Sequence, residues 1–220
     1  IINFQSWQAV VKFGSEDIEN DNIESLEKLI KVCSIVDFVT AILGGIISML
    51  LATMITQIMG WDKGIIRYIL ILSIQVFLNF TGTSVGVIRL LDKFKYFSIY
   101  RVLAELIRFV LVVIFCNVFN MGLYGATIAF TVSYIIAYIV FIGFFIHVIR
   151  KDDRLSLKRI ITCDTRNKWK NVLSFTIWTN LSTSADIPVQ QFDIMFLSLV
   201  SNEIVAVFKV YKQIGAVLNK

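Results

Sequence analysis

The stretch FVLVVIFCNVFNMGLYGATIAFTVSYIIAYIVFIGFFIHVI, residues 109–149, contains no Asp, Glu, Lys or Arg. A transmembrane helix needs roughly 20 mostly apolar residues, so the stretch is about twice as long as one membrane span. It must therefore fold back on itself, and the Asn- and Gly-containing segment NVFNMG at 117–122 is the predicted turn. This stretch alone predicts two consecutive transmembrane helices.

The rest of the chain has the same apolar character. Of its 220 residues, 57% are hydrophobic and 17% are charged, and the mean hydropathy of +0.76 excludes an ordinary soluble globular domain. We predict an all-α fold, a polytopic transmembrane helix bundle with about five full transmembrane helices and part of a sixth. The predicted helices lie near 32–59, 65–90, 97–119, 123–149 and 172–200, and the sixth begins near Glu203.

Basic residues are divided unevenly between the two sides of the predicted bundle. Fifteen lie in or beside the segments 15–31, 89–101 and 150–170, whereas the opposite connections offer only Lys63. Basic connections stay on the cytoplasmic side of a membrane, so these three segments are predicted to be cytoplasmic. The net charge of +5 is then a signal of membrane topology, and it gives no reason to expect a nucleic-acid partner.

Polar and small residues recur on one face of the second predicted span. They follow each other at steps of four, three, four and three residues, which places them on one side of a helix. The set comprises Gln75, Asn79, Gly82, Gly86 and Arg89. Two interpretations are open, a cavity wall or a tight helix contact, because such residues serve both purposes.

Charged residues share one face of the third span, where Glu105 lies within helix reach of both Arg101 and Arg108. One interpretation is a neutralising ion pair near the cytoplasmic end of the span. The other is a cationic site, since two arginines outnumber one glutamate. Asp37, at the start of the first span, is interpreted as an interfacial helix-start residue, with a coupling-ion carboxylate as the alternative.

The fifth predicted span is unusually polar on one broad arc. This arc comprises Thr176, Thr179, Thr183, Asp186, Gln190 and Asp193, with Asn180 at its edge. An interior helix whose hydroxyls bond to their own backbone is one explanation. The two carboxylates favour the other, a helix that lines a water-filled cavity.

Motifs of enzyme chemistry are missing from the sequence. It has no Gly-rich phosphate loop, no Gly-x-Ser-x-Gly elbow and no His-Glu-x-x-His. Cys33, Cys116 and Cys163 are far apart and lack the spacing of a metal site, so we expect free thiols. The prediction is a protein that is not an enzyme and that needs no metal or cofactor.

Several stretches carry a family resemblance. GTSVGVIRLLDKFK at 82–95 resembles the glycine-containing helix and the Arg-Leu-x-Asp-x-Phe connection of bacterial polysaccharide transporters. These are the O-antigen and capsule flippase branch of the multidrug/oligosaccharidyl-lipid/polysaccharide exporter superfamily. FDIMFL at 192–197 and VAVFKVYKQIG at 205–215 are similar to the start of that family's second lobe, and FQSWQAVVKFG at 4–14 is similar to the end of its second helix.

The resemblance implies a two-lobed protein of the bacterial inner membrane, with six helices in each lobe, of which this chain is a piece. The start at Ile1 and the apolar run that reaches Lys220 without a stop signal point the same way. The implied division is the end of a preceding transmembrane helix at 1–14, a cytoplasmic amphipathic helix at 15–31, four transmembrane helices of the first lobe at 32–149, a basic cytoplasmic inter-lobe linker at 150–170 and the start of the second lobe at 171–220.

The implied function is to move an undecaprenyl-diphosphate-linked oligosaccharide, a unit of O-antigen, capsule or a similar polysaccharide, across the membrane by alternating access. The implied partners are this substrate, membrane lipid and other polysaccharide-assembly proteins. A drug or cation antiporter of the same superfamily is the alternative. A membrane-embedded glycan polymerase or glycosyltransferase is a further alternative, which the short external connections disfavour.

The resemblance also suggests roles for individual residues. Arg89 and Arg108 are predicted to face the diphosphate, because arginine matches the geometry of phosphate oxygens. The predicted sugar- or water-facing groups are Gln75, Asn79, Asn180, Thr183 and Gln190. The candidates for an ion-coupling carboxylate are Asp186, Asp193 and Glu105.

Overall fold

The computed structural model describes residues 6–165, 168–198 and 202–218, and these residues form helices and short connections without any strand. The helices are α1 (Trp7–Glu19), α2 (Ile23–Ile58), α3 (Ile65–Phe77), α4 (Gly82–Leu90), α5 (Phe94–Val113), α6 (Gly122–Lys151), α7 (Leu157–Thr162), α8 (Trp169–Ser198) and α9 (Asn202–Leu218). The chain divides into two compact units, Ile2–Ile177 and Trp178–Lys220, and each is described by itself.

Within the described ranges, three helical segments are long and apolar enough to cross a membrane. They are Ile23–Ile58, Ile65–Leu90 and Gly122–Lys151. Large apolar side chains such as Leu50, Ile58 and Ile139 are exposed along them, as expected of surfaces that face lipid. The all-helical class and the membrane character predicted from the sequence are therefore confirmed.

Two predicted spans have helices that fall outside this group of three. α5 covers most of the predicted span at 97–119 and continues into a π-helical turn at Ile114–Val118. Any 18-residue part of α5 contains Arg101, Glu105 and Arg108. The helix is therefore too highly charged to be identified as a membrane span from its composition. α8 is too rich in hydroxyl and amide side chains. That these two helices cross the membrane stays a prediction.

The turn between α5 and α6 lies where the sequence predicts it. Helix ends at Val118 and resumes at Gly122, and both Asn120 and Gly122 adopt a positive φ, 51° and 55°. Asn and Gly are the residues that tolerate this left-handed conformation best. The uncharged stretch 109–149 therefore folds back as expected.

The helices of the N-terminal region begin and end at residues other than those predicted. α1 continues past residue 15 to Glu19, and α2 begins at Ile23 and runs without a break through 31 and 32. Asp21 has a positive φ of 53°, and the Asn22 side chain accepts a hydrogen bond of 3.1 Å from the Ser25 N–H. This turn and N-cap set the joint at 20–22, so 15–31 is not a separate surface helix.

The first half of α2 is buried in the core of the first unit. Leu26, Leu29 and Ile30 pack with Ala9 and Val10 of α1. The same cluster includes Val87 of α4, Ile149 of α6, Ile160 of α7 and Val172 of α8. α2 extends about 54 Å at 1.5 Å per residue, so it is longer than the roughly 30 Å hydrocarbon layer.

The segment 150–170 is attached to this buried end by polar contacts. Glu27, whose side chain is 3% exposed, accepts from the Ser156 N–H at 2.9 Å and lies 3.2 Å from the Arg159 Nε. Lys31 donates to the carbonyls of Ile161 and Cys163 at 2.7 and 2.8 Å. The basic segment is thus held against α2 through several charge-assisted hydrogen bonds.

Candidate functional site

A polar pocket lies between α5 and α6 and has a volume of about 130 Å³. Its lining combines cationic, acidic and phenolic side chains with small residues. The lining residues are Tyr100, Arg101, Ala104, Glu105, Arg108, Ser133, Tyr134 and Ala137. The pocket thus brings together all three charged residues that the sequence places on one face of the third span.

Arg108 and Glu105 form an ion pair in this pocket. The Arg108 Nη1 lies 3.0 and 3.2 Å from the two carboxylate oxygens, and the guanidinium lies 5.1 Å from the centre of the Phe130 ring. The side chain of Arg108 is 30% exposed and that of Glu105 is 69% exposed. The Arg108 Nε is buried and has no hydrogen-bond partner among the described residues. The neutralising pair predicted from the spacing is therefore present.

The pair does not cancel the positive charge of the pocket. Within the described part of the chain, Arg101 forms no ion pair, and its guanidinium lies 5.8 Å from the centre of the Phe97 ring. Two guanidinium groups and one carboxylate therefore give the pocket a formal charge of one positive unit. The ion pair and the second arginine line the same space, and a cationic binding site on this helix face stays a prediction.

Gln75 and Asn79 face α6 beside the pocket rather than lining it. The Gln75 Nε2 lies 3.4 Å from the Thr131 Oγ1, and the Tyr134 hydroxyl lies 3.4 Å from the Asn79 Oδ1. Both distances are at the long end for hydrogen bonds. Asn79 is connected to the pocket through Tyr134, which lines it. These predicted sugar-facing groups therefore contact neighbouring helices, with Asn79 one side chain away from the pocket.

The predicted single helix face is wrong, because the helix breaks at 78–81, and Gly86 of α4 serves helix packing. A Cβ atom at Gly86 would lie 2.7 Å from the Val10 Cβ and 3.0 Å from the Trp7 Cα, so α1 and α4 approach each other closely there. Arg89, at the end of α4, stacks on aromatic rings, 4.2 Å from Trp7 and 5.5 Å from Phe97. Arg89 is not among the lining residues, so the structure does not bring it together with Arg108.

The remaining predicted site residues belong to the unit Trp178–Lys220. Asn180 is buried, and the Thr183 hydroxyl donates to the Thr179 carbonyl at 2.9 Å, the local bond expected of an interior helix. Asp193 of α8 pairs with Lys212 of α9 at 2.9 Å. The side chains of Asp186 and Gln190 lie outside the described residues.

A buried carboxylate lies in α2. Asp37 is 2% exposed and sits in the middle of the helix rather than at its start, so its interpretation as an interfacial helix-start residue is wrong. Its Oδ2 accepts hydrogen bonds from Ser6 and Thr83. One signal was available, because Asp37 shares a helical stripe with the small residues Ala41 and Gly45 that mark a packed face.

Comparison with known proteins adds no family to this description. No protein-family model matches the chain, and neither a curated protein nor a solved structure matches it. The resemblance of residues 82–95 to polysaccharide transporters therefore stays an expectation. The function is argued below from the pocket and its surroundings.

Proposed function

We propose that this chain is part of a membrane flippase that moves an undecaprenyl-diphosphate-linked oligosaccharide from the cytoplasmic to the outer leaflet by alternating access. The observation that carries the proposal is the cationic pocket between α5 and α6, lined by Arg101 and Arg108 with a single Glu105. A surplus positive charge beside apolar helices suits an anionic headgroup on a lipid. The proposal describes a transporter rather than an enzyme.

Phosphate is the group that best suits this pocket. Guanidinium groups bind phosphate oxygens through paired N–H donors, and such charge-assisted hydrogen bonds are about twice as strong as neutral ones. The Arg108 Nε is buried and has no partner among the described residues, so it would donate to a phosphate oxygen only after the arginine side chain shifts. Screening by water is weak near the hydrocarbon layer, which strengthens the attraction.

The rest of the pocket suits sugar hydroxyls. Tyr100, Ser133 and Tyr134 present hydroxyl groups beside the arginines. At about 130 Å³ the pocket is smaller than the 300–1,000 Å³ typical of ligand sites, so it accommodates one part of a headgroup and not a whole oligosaccharide. We assign to it the phosphate next to the lipid and the first sugar.

The outer surface of α5 provides a place for the lipid tail. Val102, Leu106 and Phe109 are exposed, and each follows one position after a charged pocket residue on the helix. A step of one residue turns the helix by about 100°, so the apolar strip runs beside the charged one. A lipid-linked anion can therefore keep its headgroup in the pocket while its tail remains in hydrocarbon.

A drug or cation antiporter is the second candidate, and the buried carboxylate of Asp37 is the observation that favours it. Such a protein needs acidic groups that exchange a cation for the drug. The positive pocket weighs against it, because two arginines repel a cationic drug. The flippase is the function that the described geometry supports better.

The test is a substitution series in the full-length protein. We expect Arg101→Gln combined with Arg108→Gln to lower glycan export by roughly tenfold or more, since each lost charge-assisted bond is worth about 1.5–3 kcal/mol. Arg67→Gln is the matched control, because Arg67 is exposed and contacts only Tyr68 among the described residues. Normal export by the double variant at an unchanged protein level would overturn the proposal.

A further inference from the structure

The second membrane-spanning segment is broken in its middle, and the break lies against Asp37. α3 ends at Phe77 and α4 begins at Gly82, so residues 78–81 interrupt the helix. The first N–H groups of any helix lack partners within the helix. Here the Thr83 N–H donates to the Asp37 Oδ2 at 2.6 Å. Broken helices within membrane proteins occur where they surround a binding site.

The two oxygens of this carboxylate have very different surroundings. The Oδ2 atom accepts three hydrogen bonds, from the Ser6 Oγ at 2.7 Å, the Thr83 Oγ1 at 2.7 Å and the Thr83 N–H. The Oδ1 atom is buried and has no hydrogen-bond partner among the described residues. Among the described residues, all three donors therefore bond to one oxygen of the carboxylate, and the other oxygen accepts no hydrogen bond from them.

Gly82 is what allows the carboxylate to approach α4. A Cβ atom at this position would lie 3.0 Å from both oxygens of Asp37 and 2.9 Å from the Ser6 Oγ. These contacts are tighter than nearly all carbon contacts in proteins, so a side chain at position 82 would push the carboxylate and the Ser6 hydroxyl away. Glycine at position 82 therefore leaves space beside the Oδ1 atom of Asp37.

No positive side chain neutralises Asp37 in the described part of the chain, where it forms no ion pair. Basic residues of the helices packed on α2 are engaged elsewhere. Lys12 of α1 lies over Phe13 and Phe175, Arg67 of α3 over Tyr68, Arg89 of α4 over Trp7, and Arg159 of α7 pairs with Glu27. The acidic residues of α1 lie at its far end, 16–19.

The titratable side chains that interact with Asp37 are a thiol and a phenol, neither of which can supply a positive charge. They are Cys33, one turn earlier on α2, and Tyr138 of α6, whose ring packs on Phe80 at a centroid distance of 5.0 Å. Among the described residues, the negative charge is balanced by hydrogen bonds from the side chains and backbone of Ser6 and Thr83 and by the N-terminal dipole of α4, which is equivalent to about half a positive charge.

We propose that Asp37 binds and releases one proton during the transport cycle. The proton comes from water on one side of the membrane and adds to the Oδ1 atom, which changes the carboxylate from one negative charge to none. It returns to water on the other side when the helices around the site separate. This proposal rests on the proposed transport function in one point only, namely that the bound proton takes part in transport.

Protonation also changes how tightly α4 is held. The bonds from Ser6 and Thr83 are charge-assisted while Asp37 is ionised and become neutral, about half as strong, when it is protonated. The attraction between the carboxylate and the N-terminus of α4 disappears as well. A protonated Asp37 therefore loosens the contact of α2 with α1 and α4, which couples the proton to a movement of the broken helix.

The experiment is infrared difference spectroscopy of the full chain in lipid, titrated from about pH 4 to about pH 9. We expect a carboxylic-acid band that fades as the pH rises, is missing in Asp37→Asn and is kept in the control Asp92→Asn, which removes an exposed carboxylate. A spectrum that Asp37→Asn leaves unchanged at every pH would show a permanently ionised carboxylate, and a band that persists at every pH would show a permanently neutral one. Either result overturns the proposal.

A second variant keeps the test decisive if Asp37→Asn does not fold. Thr83→Val removes one hydroxyl donor to the ionised form. We expect the band to fade at a pH higher by about one to two units, because a charge-assisted bond of about 1.5–3 kcal/mol is lost. An unchanged titration would contradict the proposal. Neither measurement uses the transport substrate, so failure here leaves the flippase proposal standing, and failure of the flippase leaves this result unaffected.

Discussion

The side chain of Arg89 illustrates what residue spacing can and cannot predict. The spacing predicted one helix for Gln75, Asn79 and Arg89, which is wrong, because the helix breaks at 78–81 and Arg89 belongs to α4. Its guanidinium stacks on Trp7, from a helix that begins 82 positions earlier in the chain. The local pair of Arg108 and Glu105 was predictable, because it depends on a three-residue step within one helix. The Asp37 site was not, because it needs contacts between residues 31 and 46 positions apart.

Replacement of Arg89 by Gln distinguishes stacking from phosphate binding. We expect Arg89→Gln to lower the stability of the purified protein by about 0.5–2 kcal/mol, the worth of a cation–π contact, with glycan export close to normal. Thermal unfolding in detergent and export in cells are the two measurements. Trp7→Ala should lower stability in the same direction. Loss of glycan export at unchanged stability would instead indicate that Arg89 binds phosphate, as predicted from the sequence.

At the scale of elements, uncharged stretches predicted the positions of the spans better than they predicted the joints between helices. The turn at 117–122 was found because polar residues and a glycine interrupt an apolar run. The joint at 20–22 depends on the backbone of Asp21 and the cap made by Asn22. The break at 78–81 is stabilised by Asp37 from another helix, which no local pattern shows.

At the same scale, a methyl group added at Gly86 tests the close contact between α1 and α4. Gly86→Ala places a Cβ 3.0 Å from the backbone of Trp7, and we expect a loss of about 1–3 kcal/mol of stability from overpacking. Gly143→Ala is the matched control within α6, since no described heavy atom lies within 4 Å of its added Cβ. It should leave stability unchanged or raise it by up to about 1 kcal/mol. Equal unfolding temperatures for the two variants would contradict the close approach of α1 and α4.

At the scale of the whole molecule, composition and charge distribution predicted a membrane protein. The three long apolar helices of the structure agree with this prediction. The structure adds a link that sequence alone did not suggest, since the basic segment 150–170 is fastened to the buried end of α2 by Glu27 and Lys31. Arg154 in this segment donates to Asp152 and holds the pKa of that carboxyl below its ordinary value. The described residues of 150–170, which are predicted to be cytoplasmic, therefore form several ion pairs.

The central claim is that the intact protein moves a lipid-linked oligosaccharide between leaflets. The most direct test is to measure on which leaflet this lipid resides in cells that lack the full-length protein. We expect the assembled oligosaccharide lipid to accumulate on the cytoplasmic leaflet, and the reintroduced protein to clear it. A normal distribution between the leaflets, with normal surface glycan, would contradict the claim, and altered sensitivity to cationic drugs in the same cells would identify the antiporter instead.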